Sequence, residues 1–174
     1  MAKDYFFKLV KTRKTCYEFS EKRVKDKDLK KILEAARWAP SYLNIQPWHF
    51  IVIKNKSRIS ELINGASWGV FHTDPQVIIA LVITDTRRRD VDAKMCIGMA
   101  GLIMTLEAKE LGIDTCMLTP DRINAAKILK LKEEYEMDLM IGIGYEQKNA
   151  FQKERVRKAL KTIVSYEKFK KGKS

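Results

Sequence analysis

The apolar positions of this chain change period several times, and those changes divide it into elements. Tyr5, Phe6, Leu9 and Val10 recur at helical spacing and predict a short amphipathic helix over residues 3–11. Ser20 to Val24 reads as a connection. Leu29, Ile32, Leu33 and Ala36 then form the apolar face of a second helix, which Asp26 or Asp28 can cap and which stops before Pro40. A strand is expected at 49–54, followed by a helix near 57–64 that Ser57 can cap and that ends before Gly65. Asp74-Pro75 breaks the chain ahead of Val77 to Ile83, a continuous apolar run suited to a strand covered on both faces. Asp85 to Asp90 reads as a charged loop.

The next segment, about 91–111, is a long helix whose centre from Met95 to Met104 has no polar face. A helix apolar all round has to be covered on every side. Gly98 and Gly101 each cost about 1 kcal/mol against alanine in a helix, which predicts that something approaches closely there. In a chain of 174 residues the cover comes either from layers on both sides or from a second subunit, and the second subunit is favoured. A short strand at 113–118, a helix at 121–130 and a core strand at Met140 to Gly144 complete the core. In the tail, Leu160, Thr162, Val164 and Tyr166 can line one face of an extended segment with Ile163 on the other, and a helical reading is equally open.

Size and composition narrow the classes. The length and a hydrophobic content of 45% fit one ordinary globular domain spanning residues 1–174. No apolar run approaches the roughly 18 residues that a membrane span needs, and Asp4 and Lys8 interrupt any leader-like core. The expected location is the cytoplasm. Three cysteines without ligand spacing and only two histidines, His49 and His72, argue against a metal site. The net charge of +12 is concentrated in Lys22 to Lys31 and Lys148 to Lys173. Both stretches mix in acids and neither interleaves aromatics with its basic residues, which argues against nucleic acid as a partner. A basic binding module without a cofactor stands as the alternative from a different class.

Two short blocks carry candidate chemistry. Arg13, Lys14 and Thr15 bring two cations and a hydroxyl together, and arginine binds phosphate through two parallel bonds. Residues 40–50, Pro40-Ser41-Tyr42-Leu43-Asn44-Ile45-Gln46-Pro47-Trp48-His49-Phe50, lead into the first strand. Asn44 and Gln46 each offer a donor and an acceptor suited to the edge of a polar heterocycle, while Pro40 and Pro47 stiffen the loop. A turn whose amides satisfy only backbone groups is the plainer reading of the same residues. No catalytic triad, carboxylate pair or phosphate loop is present. Gly142-Ile143-Gly144 lacks the third glycine of a dinucleotide fingerprint.

The second block resembles a signature of the nitroreductase family, flavin-mononucleotide (FMN) oxidoreductases in which an asparagine leads into Gln-Pro-Trp-His-Phe. Asn44, Gln46, Pro47, Trp48, His49 and Phe50 all match. The string from Arg13 to Phe19 resembles the family's first signature, with Tyr17 where a basic residue is usual. The resemblance implies an α+β fold with a mostly antiparallel four-stranded sheet flanked by helices. It implies a homodimer with the flavin at the subunit interface and a C-terminal tail crossing to the partner. It further implies FMN bound by Arg13, Lys14, Thr15, Tyr17, Pro40, Ser41, Tyr42, Leu43, Asn44 and Gln46. Leu118 and Thr119 would lie near the ring, and Arg155 or Arg157 near the phosphate. At the mid-chain turn the family directs backbone amides towards the flavin; Pro120 has none here, which leaves Thr119 as the donor. The implied activity is ping-pong reduction of nitroaromatics, quinones or flavins by NADH or NADPH, with the cofactor supplying the redox chemistry. The same fold also hosts dehalogenating and flavin-destroying enzymes.

Overall fold

A computed structural model describes residues 4–64, 66, 73–84 and 91–169; the loop expected at Asp85 to Asp90 and His72 lie outside them. The fold is α+β. Four strands, β1 (Trp48–Ile53), β2 (Val77–Ile83), β3 (Asp114–Leu118) and β4 (Glu136–Gly144), form one sheet in the order β1-β2-β4-β3, every neighbour antiparallel. The strand β2 is buried along its whole length because the sheet is covered on both faces. Val77, Ile79, Leu81 and Ile83 point to one core, which α2 (Asp26–Arg37) and α4 (Val91–Glu110) cover. Ile78, Ala80 and Val82 point to the other, closed by α3 (Lys56–Asn64) and α5 (Arg122–Leu129). The period of two along a strand makes this division. A further helix, α1 (Tyr5–Thr12), buries no residue and lies near α4.

Several local expectations are corrected. Lys25 holds the N-cap position of α2, and Asp26 and Asp28 lie in its first turn without capping it. There they still face the positive end of the helix, and Asp26 also meets Lys54 at 2.5 Å. At α3 the cap is Asn55, whose Oδ1 accepts from the Arg58 amide at 3.0 Å, because Asn55 precedes the first helical residue. Ser57 is already inside the helix and donates to Glu61. The strand β4 starts at Glu136, earlier than its apolar run suggests. A register shift between Leu81 and Val82 lets it carry the polar Glu136 and Asp138. The tail is neither a strand nor a regular helix among the described residues. It makes one 3₁₀ turn, Leu160–Thr162, and lies in no ladder that could satisfy an extended backbone.

The cover on α4 is one-sided. Ala93, Ile97, Ala100, Met104 and Ala108 are buried, whereas Val91, Met95 and Leu102 are 70%, 58% and 49% exposed. The two glycines differ accordingly. A Cβ on Gly101 would stand 2.6 Å from the Leu139 side chain, so this glycine lets the helix approach the sheet closely. A Cβ on Gly98 would meet nothing within 4 Å, so the close neighbour expected at this position is absent among the described residues. No helix among the described residues is long and apolar enough to cross a membrane.

Candidate functional site

The first block is tied to the outer edge of the sheet. Thr15 bridges Thr115 at the start of β3, and the Cys16 amide donates to the Thr115 carbonyl at 2.9 Å. Phe19 then bridges Glu146 just beyond β4 and packs its ring against Gly144, where a Cβ would come within 2.6 Å of it. Gly144 therefore serves the close passage of this segment. Burial pushes the thiols of Cys16 and Cys116 up to about 12, as expected of core thiols.

The tail returns to this corner. Arg13, Lys14, Thr15 and Tyr17 line one groove with residues 152–157. Burial and the nearby guanidiniums of Arg155 and Arg157 lower the pKa of Arg13 below its ordinary value. Among the described residues, none of these three arginines forms an ion pair, although Glu154 lies in the same groove. Arg155 donates to the Lys11 carbonyl at the end of α1, and Arg157 to the Val156 carbonyl at 2.9 Å. Like charges gathered without an ion-paired acid favour binding of a polyanion such as a phosphate monoester. Lys14 is differently engaged: its Nζ lies 2.7 Å from Glu146 Oε2 and 2.6 Å from Gln152 Oε1.

The second block forms the loop before β1. Ser41 Oγ accepts from the Gln46 amide at 3.0 Å, and Gln46 Nε2 donates to the Asn44 carbonyl at 3.2 Å. Leu43, Asn44 and Gln46 have φ of 46°, 57° and 47°, in the left-handed region that side chains other than glycine avoid. Pro40, Tyr42, Leu43, Asn44 and Gln46 are exposed and Ser41 is half-buried, so the amide side chains stand free of the core. Such strain persists only where surrounding structure enforces it, and it clusters at ligand sites.

Thr119 is exposed beyond the end of β3, while Leu118 is buried in the core under α3 and α5. Leu118 is therefore a packing residue within this chain. Thr119 lies along the same edge strand as Thr15.

The two blocks stand at diagonally opposite corners of the sheet. Trp48 faces Ile83, which faces Glu136, so the amide loop enters at that end along the β1 edge. Thr115 faces Ile143, which faces Val77, so Thr15 joins at the other end along the β3 edge. Four strand spacings by six residues put the two backbones about 28 Å apart.

Glu146 and Gln152 carried no signal of their own in the sequence. They lie 132 and 138 positions from Lys14. The one available hint was an acid standing directly between the last core strand and a basic tail.

Comparison with known proteins gives three findings. Residues 10–76, which contain both blocks, match the model of the Nitroreductase family. A protein of Archaeoglobus fulgidus named "Putative NADH dehydrogenase/NAD(P)H nitroreductase" is 27% identical over 146 residues, covering 79% of this chain and 83% of that one. The crystal structure of "a putative nitroreductase in complex with fmn" from Desulfovibrio desulfuricans superposes with a TM-score of 0.83 at 25% identity, over 97% of this chain and 99% of that one.

Proposed function

Because this chain belongs to the nitroreductase family, by its match over residues 10–76 and by a fold shared along nearly its whole length, we propose that it is an FMN-dependent oxidoreductase that takes hydride from NADH or NADPH. The observation that carries the reading is the groove in which Arg13, Arg155 and Arg157 converge without an ion-paired acid. These guanidiniums fit a phosphate monoester, and Thr15 adds a hydroxyl beside them. Tyr17, in the usual place of a cation, offers a phenol instead. Bound FMN would supply two-electron redox chemistry by accepting and giving up hydride.

The protein's part is binding and access. Asn44 and Gln46 would meet the polar edge of the ring, held in place by the bond from the Gln46 amide to Ser41 Oγ. Thr119 would donate from the β3 edge. Pro40, Tyr42 and Leu43 would wall the space above the ring, where Tyr42 limits the size of the acceptor. Nitroaromatics, quinones and flavins are the acceptor classes that suit such an open site, reached in a ping-pong sequence.

The separation of the two blocks supports a dimer. One flavin cannot lie against both corners of a single sheet about 28 Å apart. Two copies packed through the exposed stripe of Val91, Met95, Gly98 and Leu102 would cover the open face of α4. Such a pairing is isologous and gives two equivalent sites. The tail beyond Arg157, with Leu160, Ile163 and Tyr166 exposed, would reach across to the partner. A direct test is to titrate the purified chain with FMN and riboflavin, following the band near ~450 nm, and then add the nicotinamide donor anaerobically. Tight binding of FMN over riboflavin, with bleaching by the donor, is expected. A colourless chain that binds neither flavin would refute the reading.

A further inference from the structure

Lys14, Glu146 and Gln152 close a ring of hydrogen bonds from three separate parts of the chain. Lys14 Nζ donates to Glu146 Oε2 at 2.7 Å and to Gln152 Oε1 at 2.6 Å. Gln152 Nε2 completes the ring by donating to Glu146 Oε1 at 2.9 Å. The main chain of Glu146 is itself fixed, because its backbone amide donates to Asp114 Oδ2 on β3 at 3.0 Å. Burial works to raise the pKa of the Glu146 carboxyl, but the bonds from Lys14 and Gln152 and the charges of Lys14 and Lys109 bring it below its ordinary value. The acid is thus charged and paired at neutral pH.

This ring answers a physical difficulty. Three guanidiniums held together repel one another, and the segment carrying two of them makes no regular secondary structure. Left to itself, the segment would swing its charges apart into water. Gln152 lies three residues before Arg155 and five before Arg157. A tether at Gln152, with the bond from Arg155 to the Lys11 carbonyl, keeps both over Arg13. Lys14 spends its charge on Glu146, so it adds little net attraction for an anion.

We infer that Glu146 and Gln152 are positioning residues for the phosphate cradle, and that Lys14 acts with them as a clamp on the tail instead of touching the phosphate. The inference rests on the flavin-phosphate reading above. It also fixes where the tail can leave its own subunit, which is after Arg157.

An exchange of charges tests it. An amide donates from one side and accepts on the other, so Gln152 can serve the pair in either orientation. Dissociation constants for FMN and riboflavin are measured for the wild type, Lys14→Glu, Glu146→Lys, the Lys14→Glu/Glu146→Lys double exchange and Gln152→Ala. Each single exchange should weaken FMN about tenfold and leave riboflavin unchanged, and the double exchange should recover FMN to within about threefold of wild type. Gln152→Ala, at an exposed position where misfolding is not at issue, should weaken FMN about threefold to tenfold. If Lys14 touches the phosphate, a glutamate there repels it, and the double exchange binds FMN no better than Lys14→Glu; that result overturns the clamp. An unchanged FMN affinity in Gln152→Ala overturns it too. Equal binding of FMN and riboflavin by the wild type would place the failure in the flavin-phosphate reading itself.

Discussion

The cation cradle and the amide loop occupy opposite corners of one sheet and are built in opposite ways. At the cradle, the backbone of 13–19 is relaxed and is stitched to β3 and to the end of β4, while the cost lies in like charges brought together. At the loop, the charges are absent and the cost lies in the backbone, with three residues at positive φ. The cradle is completed by the returning tail of its own chain, whereas the loop, among the described residues, stays open to solvent at Leu43, Asn44 and Gln46. Its amide side chains face outward, which is what a group that serves a neighbouring subunit requires. The contrast teaches that one half of the candidate site is organised by electrostatics and the other by conformation.

Breaking the surface that would bring the two halves together should have the largest effect. Gly98→Arg puts a charge in the open stripe between Met95 and Leu102, at a position where a Cβ meets nothing within 4 Å among the described residues. It should yield a folded monomer that binds FMN weakly or not at all, seen by light scattering and flavin titration. Burying an unpaired charge in an apolar interface is costly by several kcal/mol, which is ample to dissociate a dimer. A dimeric, yellow Gly98→Arg variant would remove α4 from the interface.

Arg13→Ala sharpens the electrostatic half. It should weaken FMN by about 1.5–3 kcal/mol, the range for a charged hydrogen-bond partner. Riboflavin, which lacks the phosphate, should bind as before. The smallest effect belongs to the conformational half. Leu43 is exposed and left-handed, so Leu43→Gly relieves strain at little cost in packing and should raise stability by about 0.5–1 kcal/mol in urea unfolding. A stability loss there would show that the loop is held by contacts of the Leu43 side chain.

Much of the fold was legible in the sequence because its signals are local. The continuous run at Val77 to Ile83 announced a strand covered on both faces, and the apolar run from Met95 to Met104 announced a long helix, of which one side is covered among the described residues. The helix caps were less legible, since a capping residue and its neighbour in the first turn differ by one position. Asn55, Ser57, Asp26 and Asp28 all suit either place. The candidate site divides in the same way. Arg13, Asn44 and Gln46 stood out by motif, whereas the ring of Lys14, Glu146 and Gln152 joins residues far apart in the chain that no periodicity relates. The diagonal placement of the two blocks depends on strand order and register, which pairing between distant segments decides.

The central claim is that one flavin takes the cradle of one subunit and the amide loop of another, and subunit mixing tests it most directly. Arg13→Ala and the Asn44→Ala/Gln46→Ala double variant are each prepared with little or no bound FMN, then mixed under conditions that allow exchange. A mixed dimer has one site with both halves intact and one with neither. Statistical exchange should therefore restore FMN binding to about a quarter of the wild-type sites, given twofold symmetry. No recovery in a mixture shown to have exchanged subunits would contradict the account and return both blocks to sites within a single chain.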